Sequence, residues 1–158
     1  MGRVLIIMGS GSDEAFTAPI VRALHSFGVE AERRVASAHK TPRKLLEILE
    51  ENEAESQLVY ITVAGLSNAL SGFVDANTAH PVIACPPVSS QGFKDIDLFS
   101  SLRMPRGVAP LVVLQPENAA LAACKILAMN DSGLRKRISS YQKDMRGRVD
   151  ADDEKVRK

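Results

Sequence analysis

Tryptophan is absent from this 158-residue chain, and phenylalanine and tyrosine bring the aromatic share to only 4%. So few rings leave little to sandwich a flavin, which weighs against a flavodoxin-type electron carrier. No basic run is interleaved with aromatics either, the pattern that nucleic-acid binding favours. Neither charge dominates: 20 Lys and Arg stand against 19 Asp and Glu, a formal net charge of +1. That balance argues against an electrostatic grip on nucleic acid or on an acidic membrane surface. The only two cysteines, Cys85 and Cys124, lack metal-ligand spacing, so a reduced, cytoplasmic protein is expected. Long hydrophobic runs are missing too. Val4 to Met8 is closed by Gly9, far short of the ~20 residues of a membrane span and too short for a signal-peptide core. There is no internal repeat and no low-complexity linker.

What is present is an alternation of strand-like and helix-like segments, in a length that suits one domain with a proper core. Val4 to Met8 reads as a strand buried on both faces. From Asp13 to Phe27, Phe16, Ile20, Leu24 and Phe27 recur at helical spacing, although Pro19 should delay or kink that helix; Gly28 ends it. Val29 to Val35 reads as a polar edge strand, Pro42 to Glu53 as a helix, and Leu58 to Val63 as a second buried strand. A short helix is expected near Phe73 to Thr78, then a strand at 81–84, a short helix over Ile96 to Leu102 and a last strand over Ala109 to Leu114. Asn118 to Met129 is an Ala-rich helix. Asp131 can cap a final helix with Leu134, Ile138, Tyr141 and Met145 on one narrow stripe, and the charged last ten residues should fray. Repeated strand–helix units imply a parallel sheet with helices on both faces. Ligands then bind beyond the carboxyl ends of the strands, where Gly9 to Asp13, Ala36 to Thr41 and Ala64 to Gly72 converge.

Each of these loops carries a chemical signal and an ordinary alternative. In Met8-Gly9-Ser10-Gly11-Ser12-Asp13 the glycines allow close approach of a ligand and the serines offer donors. The spacing fits neither a Walker loop nor a dinucleotide fingerprint. Asp13 repels phosphate but accepts from sugar hydroxyls, so the loop suits a ribose; alternatively Ser12 or Asp13 only caps the following helix. In Val35-Ala36-Ser37-Ala38-His39-Lys40-Thr41-Pro42, Thr41 suits an N-cap and Pro42 the first helical position. His39 and Lys40 then sit on the lip of a helix N-terminus, where anions are favoured. Lys40 can neutralise a phosphate and His39 can both give and take a proton; the same residues also fit a capped loop with a solvated lysine and a packed histidine. Ala64-Gly65-Leu66-Ser67-Asn68-Ala69-Leu70-Ser71-Gly72 mixes small residues with neutral donors and can enclose a small uncharged group, or be a turn into a helix. His25 and His80 read as structural, and Cys85 and Cys124 as buried small residues. The proline-rich stretch from Cys85 to Gly107, with Arg103 and Arg106, could wall the site or form a subunit contact.

Taken in order, these segments resemble the phosphoribosylaminoimidazole carboxylase family of purine biosynthesis, over nearly the whole chain to the Asn118-Ala119-Ala120-Leu121-Ala122-Ala123 helix. The family has a mutase branch, which moves a carboxylate from the exocyclic nitrogen to a ring carbon, and a branch that adds carbon dioxide directly. The mutase branch usually has Ser-Ala-His-Arg and a loop containing Ala-His-Leu-Pro-Gly. Here Lys40 replaces the arginine, and the Gly65 to Gly72 loop has no histidine. With Cys85-Pro86-Pro87 and Ser100-Ser101-Leu102-Arg103-Met104-Pro105, that is similar to the direct carboxylase (class II).

The resemblance implies a flavodoxin-like three-layer αβα sandwich: a catalytic domain over 1–130, and a C-terminal helix and tail over 131–158 packing on a neighbouring subunit of a homo-oligomer, tetramer to octamer. It also implies 5-aminoimidazole ribonucleotide and carbon dioxide as substrates, with no metal and no cofactor. His39 is then the acid–base residue. Ser10 and Asp13 hold the ribose, Ser37 and Lys40 the phosphate, and Gly65 and Ser67 the base or the incoming carboxyl group. The competing expectations are the mutase and a non-catalytic nucleotide-binding module on the same fold.

Overall fold

A computed structural model describes residues 2–87 and 94–157, with the side chains of Lys94 and Asp95 left aside; the 88–93 part of the proline-rich segment lies outside the described residues. Five strands, β1 (Arg3–Met8), β2 (Glu30–Val35), β3 (Leu58–Val63), β4 (Val82–Ala84) and β5 (Leu111–Val112), form one sheet in the order β2-β1-β3-β4-β5. Every pairing is parallel. The helices are α1 (Glu14–Ser26), α2 (Pro42–Glu51), α3 (Leu70–Ala76), α4 (Phe99–Leu102), α5 (Pro116–Leu127) and α6 (Ser132–Val156). This is the flavodoxin-like three-layer arrangement.

Alternation along β1 and β3 divides the core in two. Val4, Ile6 and Met8 of β1 with Val59, Ile61 and Val63 of β3 face α1, α5 and the start of α6, through Ile20, Leu24, Ala119, Ala120, Ala123, Leu134 and Ile138. Leu5 and Ile7 with Leu58 and Tyr60 face α2 and α3, through Leu45, Ile48, Leu49, Leu70 and Val74. Because both faces are covered, the two central strands read as unbroken apolar runs. Among the described residues β2 pairs only with β1, and it carries the charge of an edge: Arg34 bonds Glu32 and Glu51, and Arg33 bonds Glu14.

The structure departs from the sequence reading in five places. Helix α1 already begins at Glu14, so Pro19 does not delay it; the proline sits in the second turn and removes one hydrogen bond. Helix α3 starts at Leu70, earlier than the expected Phe73, because the Asn68 side chain accepts from the Ser71 N–H at 3.2 Å. The segment expected as one helix over Ile96 to Leu102 is a 3-10 turn over Lys94–Leu98 followed by α4. The last strand shrinks to Leu111–Val112, since β4 offers it only Ile83 and Ala84 as partners. The charged tail is helical to Val156 rather than frayed; Lys155 pairs with Asp152 at 2.9 Å and Arg157 with Asp153 at 3.5 Å, the partners within each pair one turn apart. Asp131 does cap α6, accepting from Leu134 N–H at 2.8 Å. Leu134 and Ile138 are buried in this chain's own core, so the first part of the stripe packs within the chain itself.

Candidate active site

The carboxyl ends of β1, β2 and β3 lie side by side, so the loops leaving them meet. Two backbone bonds continue the ladder into these loops: Gly9 N–H donates to Val63 C=O at 2.8 Å and Ala36 N–H to Met8 C=O at 3.0 Å. A Cβ on Gly9 would sit 3.1 Å from Cβ of Ala64, so the first and third loops touch where only glycine fits without a shift. The three loops enclose a cavity of about 660 Å³, ample for a mononucleotide.

In the first loop Ser10 and Asp13 form a reciprocal capping box. The Ser10 hydroxyl accepts from Ser12 N–H at 3.3 Å, and an Asp13 carboxylate oxygen accepts from Ser10 N–H at 3.0 Å. The cap thus differs from the expected one: Ser10 caps the 3-10 turn over Gly11–Asp13, and Asp13 makes no side-chain cap bond to α1; both residues also line the cavity. Burial pushes the Asp13 carboxyl above its usual range, against a smaller opposing pull from the Ser10 N–H.

The second loop is a closed ring. Thr41 N–H donates to Ser37 C=O at 2.8 Å, Ser37 N–H donates to the Thr41 hydroxyl at 2.9 Å, and Lys40 N–H donates to the Ser37 hydroxyl at 3.2 Å. His39 and Lys40 are exposed at its apex and line the cavity. Thr41 takes the N-cap position of α2 with Pro42 behind it, but its side chain makes no cap bond to the helix.

The third loop is held from below. Asn68 uses both amide hydrogens, to Ser71 Oγ at 2.8 Å and Ser101 Oγ at 2.9 Å. Ser71 Oγ lies 2.8 Å from Thr62 Oγ1 on β3. The loop also contains Leu66, the one non-glycine residue with positive φ (55°) among the described residues.

All seven residues singled out from the sequence, Ser10, Asp13, Ser37, His39, Lys40, Gly65 and Ser67, line this one cavity. The wall also takes in Gly9, Ala64, Ala69 and Leu70 from the same loops, and Ser12, Ala38, Leu66 and Pro87, none of which the sequence reading assigns a role in the site. Ser12 and Ala38 sit inside motifs already chosen, and Pro87 was in the proline-rich stretch; nothing in the sequence marks Leu66 as left-handed. Arg103 lies outside the cavity, with Met104 and Pro105, on a separate surface depression beside α4. His25 is exposed on α1, and His80 packs against Tyr60, ring centres 6.0 Å apart. Cys85 and Cys124 are fully buried, and burial pushes each thiol up to about 12, which suits packing and not nucleophilic attack. No helix is long and apolar enough to cross a membrane among the described residues.

Comparison with known proteins agrees with this geometry. A phosphoribosylaminoimidazole carboxylase of Archaeoglobus fulgidus is 53% identical over 98% of this chain and 85% of its own length. An N5-carboxyaminoimidazole ribonucleotide mutase of Methanocaldococcus jannaschii is 42% identical over 98% and 97%. The crystal structure of Treponema denticola PurE superposes with a TM-score of 0.96 at 42% identity, covering all of both chains. The profile of the family described as AIR carboxylase matches residues 3–148, and the chain therefore belongs to the AIR carboxylase family, enzymes of purine biosynthesis.

Proposed function

We propose that this enzyme is the direct carboxylase: it reversibly joins carbon dioxide to 5-aminoimidazole ribonucleotide, giving 4-carboxy-5-aminoimidazole ribonucleotide. The observation that carries the reading is the composition of the cavity wall. His39 is the sole histidine among its described lining residues, and it shares the wall with the neutral Gly65 and Ser67 loop. A mutase-type loop would bring a second histidine there.

The aminoimidazole ring is electron-rich, like an enamine, so its ring carbon attacks carbon dioxide without ATP. A carbon–carbon bond forms, one C–O π bond opens to carboxylate, and the ring carbon is left tetrahedral with its hydrogen still attached. His39 takes that proton, and its electron pair restores the aromatic ring; in decarboxylation His39 returns the proton. General base help of this kind is worth ~10²–10⁴-fold. Ser10 and Asp13 take the ribose and Ser37 and Lys40 the phosphate, so that binding remote from the reacting carbon supplies orientation. The exposed end of α6 fits packing on a neighbouring copy in a homo-oligomer, tetramer to octamer.

The mutase reading is kept because a 42% identical relative carries that name. A paired assay separates the two. The carboxylase consumes 5-aminoimidazole ribonucleotide with bicarbonate as the source of carbon dioxide and ignores the N-carboxylated isomer; the reverse result assigns the mutase. A non-catalytic nucleotide-binding module would do neither, and would not exchange the ring-carbon hydrogen with solvent.

A further inference from the structure

The third loop holds a conformation that its own sequence does not favour. Leu66 has φ of 55° and is 72% exposed, so no packing of its side chain explains the left-handed backbone. Such strain persists only where the surroundings over-determine it. The surroundings here are a polar cluster on the side of the loop away from the cavity. Asn68, Ser71, Ser101 and Thr62 are 4%, 0%, 1% and 0% exposed. Their bonds run in one direction: Asn68 Nδ2 donates to Ser71 Oγ, Ser71 Oγ can donate to Thr62 Oγ1, and Thr62 Oγ1 donates to Ile83 C=O at 3.4 Å. The second Asn68 amide hydrogen goes to Ser101 Oγ on α4.

A second strand of the cluster reaches the strained residue itself. The Ser100 hydroxyl, also on α4, accepts from Asn68 N–H at 3.0 Å; the Asp97 carbonyl, 2.7 Å away, is its nearer acceptor, and the Leu66 carbonyl oxygen lies 3.2 Å away. Asn68 N–H is at the same time 3.0 Å from that carbonyl. Asn68, Ser71 and Thr62 are buried and hydrogen-bonded to one another, and buried networks of this kind rigidify what they hold. Neither Asn68, Ser100 nor Ser101 lines the cavity, whereas Gly65, Leu66 and Ser67 do.

We infer that Asn68 and the Ser100–Ser101 pair of α4 form a clamp that sets the backbone of Gly65 to Ser67 against the reacting ring. These are positioning residues: they act on turnover through the loop and touch no substrate. The inference rests on the proposed placement of the imidazole ring at Gly65 and Ser67. Its consequence is a division of labour. The ribose and phosphate are held by the first and second loops, so loosening the clamp should disturb the reacting carbon more than nucleotide binding.

The test compares Ser100→Ala, Ser100→Thr and Asn68→Ala in the full-length enzyme. Turnover is measured, together with binding of 5-aminoimidazole ribonucleotide in the absence of carbon dioxide. Misplacement on the scale of 1 Å can cost 10²-fold, so kcat should fall about 100-fold in Asn68→Ala and about tenfold in Ser100→Ala, with nucleotide Kd within about threefold. Ser100→Thr keeps the hydroxyl and should keep kcat. Wild-type turnover in folded Ser100→Ala overturns the clamp, as does an equal loss in the Ala and Thr variants, or a loss confined to Kd. If Asn68→Ala does not fold, the Ser100 pair decides alone. Failure of the carboxylase reading looks different: the wild type would then ignore bicarbonate and consume the N-carboxylated isomer, and the same ratios are read on that substrate.

Discussion

The hydroxyl of Thr41 is turned back to Ser37, accepting its N–H at 2.9 Å, and away from the helix that Thr41 begins. The consequence is twofold. The loop between them is closed into a ring, with His39 and Lys40 held at its apex, and α2 starts without a side-chain cap. An uncapped helix start keeps backbone N–H groups available to an anion. In the proposed mechanism the ring separates two tasks, with His39 as the proton carrier and Lys40, the next residue, as the anion partner.

His39→Asn should keep nucleotide affinity and remove turnover. The side chain is exposed and makes no hydrogen bond among the described residues, so the substitution leaves the ring of bonds around it intact. The expected loss is ~10²–10⁴-fold in kcat. Steady-state turnover and direct binding of 5-aminoimidazole ribonucleotide check it; near-normal turnover removes His39 from the mechanism.

Lys40→Ala should do the opposite. A point charge on a phosphate contributes to ground and transition states alike, so its removal raises KM with kcat little changed. The weakening is expected at about tenfold and should shrink as salt is added, because the Lys40 ammonium is exposed and screened. Unchanged affinity at low salt would mean that the phosphate sits elsewhere.

The sequence exposed most of this site for a physical reason. β1 and β3 are covered on both faces, so their apolar runs had to be unbroken, and the polar loops between them and the helices stand out by contrast. His39, Lys40 and Asp13 lie in those loops and were legible by residue type alone. What stayed hidden depends on contacts distant in sequence. The left-handed Leu66 sits beside Asn68, whose partners Ser100 and Ser101 are 32 and 33 residues away; only the early start of α3 is local, through the Asn68 side chain and Ser71 N–H. The length of β5 depends on how many residues β4 can offer. The helical end of the tail is not legible either, because a run of exposed charge looks alike whether frayed or helical; on α6 Lys155 and Arg157 each find an acid one turn back, on different faces of the helix.

Asp13 should show a conflict between binding and stability. Burial holds its carboxyl above the usual range, so the folded chain takes up this proton more readily than the unfolded one. Stability then falls as pH rises through the window between the unfolded value and the raised folded one, and stays lower above it. Asp13→Asn removes that cost, and its amide oxygen can still accept the Ser10 N–H. At pH 7 the variant should melt no lower than the parent while binding the nucleotide more weakly. A lowered melting temperature with intact affinity would leave Asp13 with a capping role alone.

Helix α6 divides at Tyr141. Before it, Leu134 and Ile138 are 2% and 5% exposed within the core, and Tyr141 itself meets Phe27 edge-on at 5.3 Å. After it, Met145, Val149 and Val156 are 40%, 68% and 85% exposed, with the first two continuing the Tyr141 stripe at intervals of one turn. Nothing in this chain covers that second stretch among the described residues, which suits a neighbouring copy. Two truncations separate the roles. Ending the chain after Lys143 should leave the melting temperature nearly unchanged and lower the assembled mass seen by light scattering. Ending it after Asp131 removes two core side chains, each worth about 2–5 kcal/mol, and should unfold the monomer body as well. If the Lys143 truncation keeps the parent's mass, the far end of α6 takes no part in assembly.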